Sequence, residues 1–418
     1  MRKFLLILSG ILCGSVLANE PLIDGLQGSG EQEDPVLISS ADDLRLLSAF
    51  IMNGANYSTA TAGKYFEMTN NISFQADSML YDFDGDSVNE SNFIPIGGRQ
   101  APGLSSDYRL FQGIFDGKKH IISGLRVLYE NNTNYVGLFG VTWGATIKNV
   151  GIENGEFSGN GCVSALCGQA NSSSRISECF VRNCNVTGTW MYVGGVCAAN
   201  ASSSTIENCY IDNSFISGSD FVGGFCGLNN TIGGVSFIKN CYSTADVETK
   251  NKSTYYGGFC GYSTNDTAIV NSYVIDGWQV TDSAEPGRFS LRGNVRNEAF
   301  MISSEFVDTL NDGLSVAAWQ AHCGGEGTPS LLWECTVTSA SEYTAVQNKS
   351  LQIYPNPAFD KITVNGAVEY ITVYDINGRT VMNVTAKGDV FKTLDISSLP
   401  AGQYIIKDKV AAVKIIKK

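Results

Sequence analysis

Cysteines, two histidines and one acidic loop are the residues of this chain whose type and spacing bear most directly on chemistry. Seven of the cysteines form two series, Cys167, Cys197, Cys226, Cys260 and Cys179, Cys209, Cys241, at intervals of 29 to 34 residues. A metal site needs ligands converging from several directions, and evenly spaced thiols with only two histidines do not supply them. The two series read instead as small apolar fillers of a narrow core, with bridges between neighbouring repeats as the alternative. Cys323 and Cys335 stand outside both series, one on each side of a closing loop, and are the candidate disulfide. A metal site built from His322, Cys323, Glu326 and Cys335 fits no finger spacing. Neither His120 nor His322 belongs to a His-Glu-x-x-His pair, and no Gly-x-Ser-x-Gly elbow appears. The stretch YDFDGDSVNE sets Asp82, Asp84, Asp86, Asn89 and Glu90 on a Gly-bearing loop, an oxygen pattern resembling a calcium site. It lacks the last glutamate of an EF-hand, and a solvated acidic turn has the same composition. Calcium is the one cofactor the sequence suggests.

The elements that would position these residues are repeats. Short blocks begin at Tyr135, Val163, Val193, Val222 and Tyr256, four of them ending in Cys-Gly or Cys-Ala. Each is followed by a second block beginning at Ile147, Ile176, Ile206, Ile238 or Ile269, so the isoleucines step by 29, 30, 32 and 31 residues. Units of this period are too short to bury an apolar face alone and must stack. They contain β-type runs and no amphipathic helical stretch, which predicts five coils of a right-handed parallel β-helix. Length varies between blocks, as at Thr231–Phe237, which assigns those segments to turns.

Strand parity then assigns faces. If Cys209 and Ile211 point to the core, Tyr210 and Asp212 point out. Phe180, Tyr210, Tyr242 and Tyr273 then form one external column, with Glu153, Arg182 and Asp212 in the next. Aromatic rings beside charged groups are the combination on which sugars bind, so this is the candidate binding face. The same tyrosines would serve equally to stiffen the stack or lie under a terminal segment. The turns around Trp143 and Trp190 are the next candidates.

Composition bounds the function. The formal charge is −13 in total, with +2 on residues 1–18 and +3 on 351–418, leaving −18 on 19–350. So acidic a body has no patch for nucleic acid or an anionic membrane. The opening MRKFLLILSGILCGSVLANE has a basic start, an apolar run and small residues near Ala18, which predicts a secretory signal peptide over 1–18. No later stretch approaches the length of a membrane span.

The repeats resemble a known family. The pairing of YVGG and Cys-Gly with Ile-x-Asn-Cys-Tyr is similar to the GLUG repeat of bacterial surface and secreted proteins. The lead-in DPVLISSADDLRLLSAF, GKYFEMTNNISF, FIPIGG and FQGIFDGKKHIISGL is similar to what precedes such repeats, and 303–333 to what closes them. Within the lead-in, Ser40 followed by Leu44, Leu46, Leu47 and Phe50 predicts a capped short helix suited to covering the solenoid end. At the C-terminus, YPNPAFDKITV, VYDINGRTV, LPAGQYIIK and VKIIKK resemble a type A sorting domain of the type IX secretion system. Alternating apolar runs broken by Pro-Asn-Pro, Asn-Gly and Ala-Gly turns predict a small immunoglobulin-like β-sandwich there. That resemblance implies export by the type IX machinery, removal of the domain and attachment of the body to the outer surface.

The expected organisation is a signal peptide at 1–18 and an N-terminal cap with first coils at 19–130. The repeat β-helix at 131–280, a closing cap at 281–338, a linker at 339–350 and the sorting domain at 351–418 follow. The expected function is that of a non-enzymatic, adhesin-like secreted or cell-surface protein binding glycans or surface partners. A secreted β-helix enzyme acting on polysaccharide is the alternative, since such folds carry acid/base pairs on an outer strand face.

Overall fold

In a computed structural model the chain forms two compact units, Met1–Cys335 and Thr336–Lys418. In the first unit the structure describes residues 20–54, 59–74, 80, 91–99, 108–129, 134–230, 232–249, 255–276, 293–323 and 327–335. In the second it describes 352–354, 360–365, 370–375, 379–385, 391–407 and 412–417. The expected signal peptide, the linker and the acidic loop from Asp82 to Glu90 lie outside the described residues.

The first unit is a parallel β-solenoid whose strands stack coil on coil. Ile147, Ile176, Ile206, Ile238 and Ile269 are successive ladder partners, so one sequence repeat is one coil. The column starts before the repeats: Val36–Ile38 pairs with Tyr65–Met68, that strand with Ile114–Ser123, and that one with Thr146–Glu153. The lead-in therefore supplies coils as well as a cap. Three further parallel sheets of five strands each complete the coil walls. In one of them Val163 pairs with Val136 and not with Tyr135, so the first repeat is a residue shorter at this bend than glycine alignment implied.

The corners explain the Asn and Cys of the Ile-x-Asn-Cys block. Asn149, Asn208, Asn240 and Asn271 hold φ between 45° and 56°, a region that Asn tolerates better than most side chains. Their amides stack, Asn271 Nδ2 donating to Asn240 Oδ1 at 2.9 Å and Asn240 to Asn208 at 3.3 Å. The next residue seals the corner. The Cys209 thiol donates to Glu207 O at 3.1 Å and accepts Cys179 N–H at 3.4 Å, and Cys241 repeats the pattern below it. Ser272 takes over in the last repeat, donating to Val270 O and accepting Cys241 N–H. A thiol and a hydroxyl thus perform one role, and both cysteine series are buried in the core.

The N-terminal cap is α1, Ala41–Met52. Ser40 Oγ accepts Asp43 N–H at 3.2 Å, filling a donor the first turn would leave unmet. Leu44, Leu47 and Ile51 turn into the same core as Val36 and Phe66, while Leu46 faces out. At the other end come α2, Glu298–Met301, α3, Ser304–Asn311, and an antiparallel pair Trp319–Gln320 with Ser330–Leu331.

The second unit has two antiparallel sheets. Lys361–Asn365 pairs with Gln352–Tyr354 and Phe391–Asp395, and Tyr370–Asp375 pairs with Thr380–Thr385 and Gly402–Lys407, the last also pairing with Ala412–Lys417. Ile362, Val364, Ile371, Val373, Leu394, Tyr404, Ile406 and Ile415 form its core, the two inner faces that alternation predicts for a sandwich.

Candidate functional site

The external column forms in the expected register. Phe180, Tyr210, Tyr242 and Tyr273 are successive partners, with ring centroids 5.3 Å apart for the first pair and 4.9 Å for the second, both stacked. Its exposure is not as expected. All four rings are buried, because the closing segment folds over them with Met301, Phe306, Leu310, Trp319, Leu331 and Trp333. Trp333 lies 5.6 Å from Phe180, Trp319 5.5 Å from Tyr242, and Phe306 5.2 Å from Tyr273, centroid to centroid. Four neighbouring rings are too large an apolar area to leave in water when a chain end is available to cover it.

The charged neighbours belong to the same closure. Arg182 pairs with Glu153 at 2.8 Å and with Glu334 of the closing segment at 2.6 Å, and its guanidinium lies 4.6 Å from the Phe180 centroid. Tyr210 Oη meets both Glu334 oxygens at 2.9 and 3.0 Å, and Trp333 Nε1 donates to Glu178 O at 3.1 Å. Tyr242 Oη donates to Pro329 O, and Asp212 accepts from the Thr244 hydroxyl. Burial pushes the Tyr210 and Tyr242 phenols well above their ordinary range. Burial opposes the Arg182 charge, but Tyr210, Glu334, Glu153 and Asp212 outweigh it and hold the pKa well above normal. Glu153 and Arg182 therefore latch the closing segment through Glu334, and Asp212 bonds beside them to Thr244; they do not line an open face.

A different aromatic column stays on the surface. Tyr135, Tyr192, Phe221 and Tyr255 are each half-buried and immediately precede the inward residues Val136, Val193, Val222 and Tyr256; Cys162 holds the equivalent place before Val163. Tyr192 and Phe221 centroids are 5.1 Å apart, and Phe221 and Tyr255 stack at 4.7 Å. Tyr262 stands nearly at right angles to both, 5.8 and 4.9 Å away. The backbone here is costly: Tyr135, Cys162, Tyr192 and Phe221 sit at φ 71°, 53°, 60° and 53°, a conformation that bulky side chains adopt at roughly 1–2 kcal/mol each. The motif glycine makes it feasible. A Cβ on Gly227 would fall 2.7 Å from Val193 N and 2.8 Å from Phe221 O, so the corner closes only over a residue without a side chain. Trp143 and Trp190 are 46% and 50% exposed. An aromatic residue ahead of each Val-Gly was visible in the repeats. Period-2 parity could not interpret it, because a left-handed residue breaks the alternation.

The described free thiols are all buried. Burial pushes Cys162 and Cys184 up to about 12, so they stay protonated and unreactive at neutral pH. Among the described residues nine cysteines are free and buried, and Cys323 and Cys335 form a disulfide with Cα atoms 5.4 Å apart. Among the described residues no group of three His, Cys, Asp or Glu side chains is placed to hold a metal, and no helix is long and apolar enough to cross a membrane.

Fold and surfaces define a β-solenoid carrying a separate C-terminal β-unit. That unit names its class: residues 352–418 match the secretion system C-terminal sorting domain family. The chain thus carries a type IX sorting signal, and it is a secreted or cell-surface protein. No curated protein matches it. Among solved structures it is similar to a protein from Bacteroides ovatus provisionally named an immunoglobulin A1 protease. The identity is 15% and the TM-score 0.46, over 75% of this chain and 96% of that one. It is also similar to an IgA1 protease at 12% identity and TM-score 0.30, over 90% of this chain and 34% of that one.

Proposed function

We propose that the solenoid is a non-enzymatic, adhesin-like binding body, delivered to the outer surface by its sorting domain and engaging glycans or other surface partners. The observation that carries this reading is the half-exposed aromatic column Tyr135, Tyr192, Phe221, Tyr255. Sequence that spends backbone strain on large surface rings at Tyr135, Tyr192 and Phe221 is maintaining a contact surface. Glu153, Arg182 and Glu334, charged groups on which an acid/base mechanism could draw, are engaged in holding the closing segment, and Asp212 accepts from Thr244. The test presents the protein isolated from the native outer surface to a glycan array and to intact cells, with reducing-end release assayed on the same polysaccharides. Saturable binding without release is expected. Turnover of a polysaccharide would overturn the reading and favour the β-helix enzyme.

A further inference from the structure

Along the exposed aromatic column runs a second, polar lane. Asn160 Nδ2 donates to Asn134 Oδ1 at 3.3 Å, Thr189 Oγ1 donates to Asn160 Oδ1 at 3.1 Å, and Ser219 Oγ donates to Thr189 O at 2.9 Å. These residues occupy the turn just before the aromatic corner in successive coils. Asp220, the register partner of Met191, continues the lane and adjoins Phe221, whose N–H its carboxylate accepts at 3.1 Å. Trp190 bridges the lanes: a Cβ on Gly161 would lie 3.4 Å from its ring and 3.0 Å from Asn134 Oδ1. Cys162 and Gly161 thus leave the aromatic lane without a ring in that coil, and the half-exposed indole of Trp190 stands beside Gly161.

Resting on the binding reading above, we infer that these two lanes form the site and that its ligand is a neutral glycan chain lying along the solenoid axis. Three features select that class. Aromatic groups offer area to the C–H faces of sugar rings, while amides, hydroxyls and a carboxylate offer both donors and acceptors to their hydroxyls. Among the described residues the two lanes hold no lysine or arginine: their residues are Asn, Thr, Ser, Asp, Trp, Tyr, Phe, Met and Cys, while Lys250 and Lys252, in the turn ahead of Tyr255, lie outside the described residues. Asp220 and the acidic body around it repel glycans bearing sialate, uronate or sulfate. Finally, both lanes repeat at the coil spacing, with ring centroids at 4.7 and 5.1 Å. Such a surface contacts several units of a repeating polymer, and its affinity grows with chain length.

The experiment uses the protein as it is released from its native surface. It is titrated with neutral gluco-, manno- and galacto-oligosaccharides of increasing length and with sialylated and uronate-containing glycans. Trp190→Ala, Phe221→Leu and Asp220→Asn are compared with wild type, and Trp143→Ala serves as an exposed-tryptophan control outside the lanes. Wild type is expected to bind a neutral series more tightly as chains lengthen. Trp190→Ala and Phe221→Leu should each weaken that binding by about tenfold, with melting of Trp190→Ala and Asp220→Asn unchanged. Asp220→Asn should in addition raise binding of the anionic glycans, a shift that a purely structural role would not produce. Tight binding to anionic glycans alone, or to a surface protein alone, overturns this inference and leaves the binding reading standing. Neutral-glycan binding that survives Trp190→Ala at full strength also overturns it, by moving the site elsewhere. Absence of any binding partner on array or cells removes both.

Discussion

At the scale of single residues, the repeat is a hydrogen-bonding device as much as an apolar filler. Cys209 donates to one carbonyl and accepts one amide from the coil above, and Ser272 does the same at the corresponding corner. Cys209→Ser is therefore expected to melt close to wild type. Cys209→Ala should cost about 1 kcal/mol, from the lost bond and a small cavity. Cys209→Asp should unfold the neighbouring coils at a cost of several kcal/mol, since it buries a charge without a partner. Urea titration of the three variants checks the order, and equal midpoints would show that the column is not in the core. The capped tyrosines give a pH prediction. Their folded pKa values lie above the unfolded value near 10 because burial opposes ionisation. The unfolded chain thus loses protons first, and the stability they contribute is intact below about pH 10 and falls as pH rises beyond it. Tyr242→Phe, less stable at neutral pH through loss of the bond to Pro329 O, should show a shallower alkaline decline in thermal melts.

At the scale of elements, the closing segment is the part whose role differs most from a simple end plug. It runs back along the outer sheet face, reaching Phe180 and Glu178 through Trp333. Trp333 is 3% exposed, and Trp333→Ala is expected to cost about 3–5 kcal/mol. Because the lost contacts lie over the Phe180–Tyr273 column, the variant should also bind a hydrophobic dye that wild type does not. A destabilised variant that stays dark to the dye would mean the strap remains seated. At the opposite end, α1 closes the core with the capping that Ser40 and Asp43 make, which its sequence already announced.

At the scale of the whole molecule, the chain pairs a body built by repetition with a tail built as an address. The tail matches its family over 352–418, and the body's last described residue is Cys335, bonded to Cys323. Cleavage is expected between these points, between about Ser339 and Leu351, leaving the solenoid with its closing disulfide intact and freeing the sorting domain. Intact-mass measurement of protein from the native outer surface decides it, and a chain ending at Lys418 would refute the processing.

The sequence by itself determined the solenoid, its tail and its register except at the first repeat, where Val163 pairs with Val136 and not with Tyr135. Ile147 to Ile269 recur at the coil period, and stacked strands can only pair like with like, so the ladder partners were legible before any coordinates. Parity likewise assigned Tyr210 correctly to the outer side of its sheet. What lies over that side is a long-range matter. Trp319 and Trp333 are more than a hundred residues from Tyr210 and belong to no repeat, so only the folded chain shows that the column is roofed and that Glu153, Arg182 and Glu334 form a latch. The surface column escaped the sequence for a local reason. Tyr192 and Phe221 adopt positive φ, and a single left-handed residue reverses the in–out alternation on which parity depends.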